Sequence, residues 1–114
     1  MSETTNLAQE ITDLHADLCS ALADPKRILM LYALAEESLN VSELAEKVGI
    51  SQPAASRHLK ILRERGLALA IRQGASVVYH LTDLRLIEAL DILRGVLRDR
   101  IHQQAVLLAA EPEE

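Results

Sequence analysis

The basic residues of this chain are concentrated in one stretch, from Ser51 to Arg72. That stretch contains five Lys or Arg residues and one acidic residue, whereas the whole chain of 114 residues has a net charge of −5. The five are Arg57, Lys60, Arg63, Arg65 and Arg72. Binding to phosphates requires a local positive patch and not a positive total charge. The stretch is therefore a candidate for binding nucleic acid, and the alternative is an ordinary solvated helix face.

The spacing within this stretch predicts a helix with one apolar and one polar side. At 100° per residue, Leu59 and Leu62 lie within about 40° of Ala55 and form an inward stripe. The outward side carries Gln, Ser, Arg and Lys. Arg can bind guanine, Gln can pair with adenine, and Ser or Lys can hold a phosphate. The predicted base readers are Gln52, Ser56 and Arg57, and the predicted backbone contacts are Ser51, Lys60 and Arg63.

Two features of this helix need a separate interpretation. His58 falls on the inward side, about 60° from Ala55, and we interpret it as a packed or hydrogen-bonded structural residue, not a DNA contact or ligand. Ser51 and Gln52 lie at the predicted helix N-terminus, where free backbone N–H groups attract a phosphate.

The helix is preceded by the pattern of a second short helix and a turn. Asn40, followed three residues later by Glu43, is typical of a capped helix start, and Gly49 is a good helix terminator. Ser51 caps the next helix, which is predicted to run from Gln52 to about Arg65. Two short helices joined by such a turn match the spacing of a helix-turn-helix.

Two further helices are predicted before this pair. Apolar residues at steps of three and four indicate an amphipathic helix over about residues 6–22. Asp24 and Pro25 then suit the cap and first position of another helix, which is predicted to end near residues 36–39.

A β-hairpin and a long helix are predicted after Gly66. Apolar residues alternate from Leu67 to Ile71, a turn cluster occupies 73–76, and a return strand covers 77–81. Thr82 or Asp83 then caps a last helix that reaches about Leu108 and would be roughly 39 Å long. The predicted fold class is mainly α with a small β-hairpin, in the order α-α-α-α-β-β-α. We expect one domain over residues 1–110 and an acidic tail over 111–114.

Three segments carry a resemblance to a known family: LADPKRIL at 22–29, VSELA at 41–45 and above all SQPAASRHLKILRERGL at 51–67. With them, over roughly residues 15–100, the chain resembles the ArsR/SmtB (arsenic-repressor) family of small bacterial regulators with a winged helix-turn-helix. The resemblance implies a homodimeric, sequence-specific transcriptional repressor that leaves palindromic operator DNA when an inducer binds. It also implies that the hairpin is the wing, with Arg72 and Gln73 at its tip contacting the adjacent minor groove or backbone. The alternative for these two residues is plain solvation.

The terminal helices are candidates for a dimer interface. The last helix is longer than a domain of this size is wide, so its apolar stripe needs a further partner. A symmetric dimer would cover it and place two reading heads on a palindromic operator; the alternative is packing within one chain. The candidates are Leu7, Ile11, Leu14, Leu18, Leu90, Leu93, Leu97 and Ile101.

The sequence departs from the metal-sensing members of the family. Where some relatives have thiolates, this chain has Asn40 and Ser42. Where others have an Asp/His set on the last helix, it has Asp83-Leu84-Arg85, then Val96 and Asp99. Asp99 and His102 could chelate weakly but are out of register. We therefore predict no metal site and no cofactor, and the inducer is left unidentified.

Cys19 is the single cysteine of the chain. Relatives that sense oxidants or sulfide use two cysteines, so that mechanism cannot operate within one chain. We expect Cys19 to lie on the inward side of the first helix as a small buried hydrophobe. The alternatives are a reactive thiol and an intersubunit disulfide.

Other function classes are disfavoured by what the sequence lacks. It has no nucleophile triad, no phosphate-binding glycine loop, no credible carboxylate pair, no signal peptide and no apolar run of membrane-spanning length. We expect a cytoplasmic DNA-binding repressor and not an enzyme. The alternatives on the same fold are an activator or anti-repressor, and a protein-interaction module, which the basic side of the helix disfavours.

Overall fold

The computed structural model describes residues 3–110, with side chains from residue 6 onward. The elements are α1 (Glu3–Asp13), a π-helical segment (Leu14–Cys19), α2 (Pro25–Glu36), α3 (Val41–Val48), α4 (Gln52–Glu64), β1 (Ala68–Gln73), β2 (Ser76–Leu81) and α5 (Arg85–Ala110). The chain divides after Asp83 into two compact units. The predicted acidic tail at 111–114 lies outside the described residues.

Local side-chain caps define the helix starts of the first unit. The Asp24 carboxylate accepts from the backbone N–H of Lys26 at 2.8 Å, with Pro25 at the first position of α2. Asn40 and Glu43 form a reciprocal capping box at α3, with distances of 2.8 and 2.9 Å. Ser51 accepts from the N–H of Ala54 at 3.2 Å and caps α4. Each cap satisfies a backbone donor that the helix leaves free.

The turn between α3 and α4 depends on Gly49. This residue adopts φ +78°, a left-handed conformation that side chains disfavour. Its N–H and that of Ile50 both bond to the carbonyl of Ala45, which ends α3 and redirects the chain into α4. The predicted helix-turn-helix is therefore confirmed.

The core of this unit is aliphatic. Met30 and Leu31 of α2, Leu44 of α3, and Leu59 and Leu62 of α4 are its largest fully buried side chains. Burying such side chains is the main favourable term for a domain of this size. Helices α2 and α3 therefore hold α4 from its apolar side.

The hairpin pairs β1 with β2 in antiparallel register, from Ala68 opposite Leu81 to Gln73 opposite Ser76. Tyr79 also exchanges two backbone hydrogen bonds with Leu39, which ties β2 to the segment before α3. The alternating pattern predicted the strand, but Leu69 and Ile71 remain 40% and 44% exposed, while Leu67 and Ala68 are buried. Leu69 and Ile71, the larger apolar residues of β1, thus face away from the core of this unit.

Two details of the terminal helices differ from the prediction. The first helix is not α-helical throughout, because Leu14–Cys19 forms a π-helical turn. The last helix begins at Arg85, and its first bonds go to the carbonyl of Leu84, one residue after the predicted caps. None of the helices within the described residues is long and apolar enough to cross a membrane.

Candidate nucleic-acid interface

The inward stripe of α4 is confirmed. Ala55, Leu59 and Leu62 are almost completely buried. These residues recur at steps of three and four, so they lie on one side of the helix. Their burial fixes the rotation of α4 about its axis and thereby leaves the opposite side in solvent.

The predicted DNA contacts on α4 all lie in solvent. Arg57, Lys60 and Arg63 are exposed, and within the part of the chain that the structure describes none of them pairs with a carboxylate. Positive surface charges without a nearby negative partner produce a local positive potential, which attracts phosphate. The remaining three predicted contacts are exposed as well: Ser51, Gln52 and Ser56.

The other basic residues near this helix have partners. Arg65 donates to Asp17 at 3.3 Å, which joins the end of α4 to the π-helical segment. Lys47 of α3 forms ion pairs with Glu36 at 3.0 Å and Glu37 at 3.8 Å. The hydrogen bond to Glu36 raises the pKa of Lys47 above its ordinary value. Arg65 and Lys47 are therefore partly neutralised. By contrast, no ion pair within the described residues involves Arg57, Lys60 and Arg63 of α4 or Arg72 of the hairpin.

Arg27 is a positioning residue that the sequence analysis missed. Its guanidinium, in a side chain only 12% exposed, donates to the carbonyl of Ala21 at 2.7 Å and to that of Ser20 at 3.2 Å. It also donates to Nδ1 of His58 at 3.3 Å. Arg27 thus joins the end of the first helical segment to α4. The available signal was an arginine three residues after the Asp24 cap, directly before the mainly apolar run of α2 from Ile28 to Ala35.

The structural interpretation of His58 is confirmed by this contact. The residue is half-buried on the inner side of α4, and its ring accepts from Arg27. Nδ1, held in this way, is not available to DNA, and the ring links α4 to Arg27 of α2. His58 therefore helps to orient α4.

The hairpin places Arg72 and Gln73 at its exposed tip, beside a turn in which Gly74 has φ +64°. Between α4 and β1 lies an open groove of about 520 Å³. It is lined by Lys60, Arg63, Glu64, Ala68, Leu69 and Ala70. The hairpin thus lies beside the C-terminal half of α4, and that the tip contacts DNA stays a prediction.

Most of the predicted dimer residues have their side chains in solvent. Leu7, Ile11 and Leu14 are exposed on the first helical segment, and Leu93, Leu97 and Ile101 are exposed on α5. Leu18 is half-buried. Leu90 is only 6% exposed in the single chain and has little surface left for a partner.

The expectation that Cys19 is buried is wrong. The thiol is exposed, at the last position of the π-helical segment. Leu7, Ile11 and Leu14, on the predicted apolar stripe of the same helical segment, are exposed as well, so this side of the segment is open to solvent in the single chain. Across residues 3–110, the side chains that the structure describes include no group of three His, Cys, Asp or Glu residues that could hold a metal ion.

The exposed basic helix, the helix-turn-helix and the adjacent hairpin together define a winged helix-turn-helix regulator. A family model for bacterial regulatory proteins of the arsR family matches residues 24–68. The nodulation protein NolR of Rhizobium meliloti is 34% identical over 102 residues, which cover 86% of this chain and 83% of NolR. The chain belongs to the ArsR family of transcriptional regulators, a family of regulators and not of enzymes.

Other relatives match over shorter segments. The HTH-type transcriptional regulator NmtR of Mycobacterium tuberculosis is 41% identical over 76 residues, or 67% of this chain and 63% of NmtR. The chain thus spans less than two thirds of NmtR. The biofilm growth-associated repressor of Xylella fastidiosa is 32% identical over 78 residues, or 68% of each chain.

A solved structure independently supports the fold. The homodimeric winged helix-turn-helix DNA-binding domain Mb0332 of Mycobacterium bovis, a possible ArsR-family regulator, superimposes with a TM-score of 0.70. The match covers 90% of this chain and 93% of that domain at 22% identity. The predicted order of four helices, a hairpin and a last helix is therefore confirmed.

Proposed function

We propose that this chain is a homodimeric transcriptional repressor that binds a palindromic DNA operator through α4 and leaves it when an inducer binds. The observation that carries the proposal is the exposed side of α4, where Arg57, Lys60 and Arg63 have no carboxylate partner in the described chain. Its buried side holds the helix rigidly in place. A packed helix with exposed cationic and amide side chains is suited to the major groove of duplex DNA.

The contacts divide into two groups by chemistry. Gln52, Ser56 and Arg57 would read base edges, and Ser51, Lys60 and Arg63 would contact the backbone. Ser51 lies at the N-terminus of α4, where free N–H groups favour a phosphate. Arg72 and Gln73 would extend the contact from the hairpin tip. Because the target is chromosomal DNA, the proposed site of action is the cytoplasm.

Dimerisation would complete the site. The exposed apolar stripes of α1 and α5 supply an interface, and a two-fold axis would present two copies of α4 to the two halves of a palindrome. Half-sites one helical turn apart would then be about 10 base pairs from centre to centre. The homodimeric Mb0332 domain and the repressor from Xylella fastidiosa support dimerisation and repression respectively.

The decisive test is selection of genomic DNA fragments with the purified chain, followed by anisotropy titrations on the enriched sequence. We expect a palindromic site bound by two chains. With Lys60 and Arg63 on phosphate in each chain, the logarithm of the affinity should fall with the logarithm of salt with a slope of roughly −4. No enrichment of any duplex, even at low salt, would contradict the proposal.

Transcript measurement after deletion of the gene separates repression from activation. A repressor predicts increased transcripts from genes beside the selected sites. Decreased transcripts would instead indicate the activator or anti-repressor alternative on the same DNA-binding surface. The neighbouring genes would also indicate the chemical class of the inducer.

A further inference from the structure

One predicted base reader is already hydrogen-bonded within the protein. Nε2 of Gln52, the first residue of α4, donates to the hydroxyl oxygen of Ser42 at 3.1 Å. Ser42 lies in the first turn of α3, ten residues earlier in the chain. Both side chains are exposed, so this contact lies at the surface and not in the core.

The first turns of α3 and α4, which carry this contact, are fixed by caps and by packing. The capping box of Asn40 and Glu43 closes the first turn of α3, and the Ser51 cap closes that of α4. Leu44 and Ala55, each within three residues of one partner, are fully buried. The distance between the two backbones is therefore set by packed helix ends and not by a loop.

The bond restricts what the Gln52 amide can present to DNA. A glutamine amide has two N–H donors and one carbonyl acceptor. One donor is engaged by Ser42, which leaves one N–H and the carbonyl oxygen for a ligand. Adenine presents a complementary pair in the major groove, with N7 as acceptor and N6 as donor. A glutamine without this bond would have to become ordered on binding, at a cost in side-chain entropy.

We propose that Ser42 is a specificity-determining residue that orients the Gln52 amide toward adenine. This inference rests on the proposed DNA-binding function. Ser42 itself need not touch a base, because it acts by fixing which amide atoms of Gln52 face the duplex. It therefore affects discrimination among bases more than overall affinity.

A matched pair of variants isolates the hydroxyl. Ser42→Thr retains an acceptor oxygen, whereas Ser42→Val has nearly the same shape without it. Both residues are β-branched, so their helix propensities are similar. The cap of α3 is formed by Asn40 and Glu43 and is intact in both. Thermal unfolding of the two variants checks that they fold equally well.

The readout is the affinity for the selected operator, for single base-pair variants of it, and for an unrelated duplex. Gln52→Ala first identifies the base pair at which Gln52 discriminates. At that pair Ser42→Val should reduce discrimination by about three- to ten-fold, the value of one modest hydrogen bond. Ser42→Thr should retain it, and binding to the unrelated duplex should not change. In the Gln52→Ala background, Ser42→Val should have no further effect at that pair.

The outcomes separate this inference from the proposed function. Equal discrimination by Ser42→Val and Ser42→Thr, or additive effects of Ser42→Val and Gln52→Ala, would overturn the role of Ser42 while operator binding stands. If Gln52→Ala changes discrimination at no base pair, the role of Ser42 is likewise overturned while operator binding stands. Failure of the unsubstituted chain to bind any duplex would overturn the proposed function, and this inference with it.

Discussion

Helices α4 and α5 both carry apolar residues at steps of three and four. Those on α4 are buried in the single chain, whereas most of those on α5 are exposed. The apolar stripe of α4 is buried, and its cationic side is in solvent. On α5, by contrast, Leu93, Leu97 and Ile101 are all exposed. When the apolar stripe of a helix is buried, its polar side is the surface that remains accessible to a partner. When the stripe is exposed, apolar surface remains that a partner can bury. The comparison therefore supports the proposed roles of α4 in DNA recognition and of α5 and the similarly exposed α1 in self-association.

The largest expected effect tests the buried side of α4. Leu62→Ala should lower the free energy of unfolding by about 2–5 kcal/mol, because it removes a fully buried side chain and leaves a cavity. The matched control is Leu84→Ala, at a leucine that is 64% exposed, with an expected change within about 0.5 kcal/mol. Urea unfolding measures both. Equal losses would remove the distinction between covered and open apolar residues.

The next effect tests the exposed stripe of α5. Leu97→Glu places a charge in the proposed interface, and loss of a central interface residue costs about 2 kcal/mol or more. Association should weaken by roughly thirty-fold or more, so that sedimentation at micromolar concentration shows a species of 12.6 kDa. Leu84→Glu, off this stripe, should leave the dimer intact. A dimer that persists in Leu97→Glu would place the interface elsewhere.

The exposed side of α4 gives the third test, with two variants of different expected behaviour. Arg57→Ala should cost about 1–3 kcal/mol of operator binding and relax specificity at one position. Lys60→Ala should instead weaken all duplexes similarly and reduce the magnitude of the salt slope by about 1 per chain. Anisotropy titrations over a salt series measure both. Unchanged binding of Arg57→Ala at fixed salt would remove Arg57 from the base readers.

The smallest effect concerns the cap of α2. The hydrogen bond from the backbone N–H of Lys26 lowers the pKa of Asp24 below its ordinary value of 3.8. A carboxyl with a lowered pKa stabilises the fold when ionised, so its contribution is complete above the unfolded pKa and is lost as the pH falls through the folded pKa. Asn is a comparable cap that does not titrate. Urea midpoints should therefore fall more in the unsubstituted chain than in Asp24→Asn below about pH 4. Parallel pH profiles would contradict this role.

The local features of the fold were accessible from the sequence. The Asn40–Glu43 capping box, the Gly49 turn and the buried stripe of α4 were all predicted and observed. Each depends on residues only a few positions apart, so chain geometry alone brings them together. The positions of the exposed cationic residues follow from the same periodicity.

The errors concern features that local periodicity does not specify. The expected burial of Cys19 was wrong, because periodicity gives the side of a helix on which a residue lies but not whether another element covers that side. Arg27 was missed because its partner His58 is 31 residues away along the chain, and two of its other partners are backbone carbonyls, which no residue type reveals. Some arginines form ion pairs with residues of other elements, as Arg65 does with Asp17. Which arginines do so likewise depends on contacts between elements.

By itself, then, the sequence determined the starts of α2, α3 and α4, the hairpin and the two sides of α4, because caps, turns and a 3.6-residue period are properties of neighbouring residues. Only the tertiary structure decided which charges stay free, how Arg27 and His58 hold α4, and that Gln52 is bound by Ser42. Those contacts join residues ten or more positions apart. Their distances follow from how the buried faces pack, and no spacing along the chain encodes that packing directly.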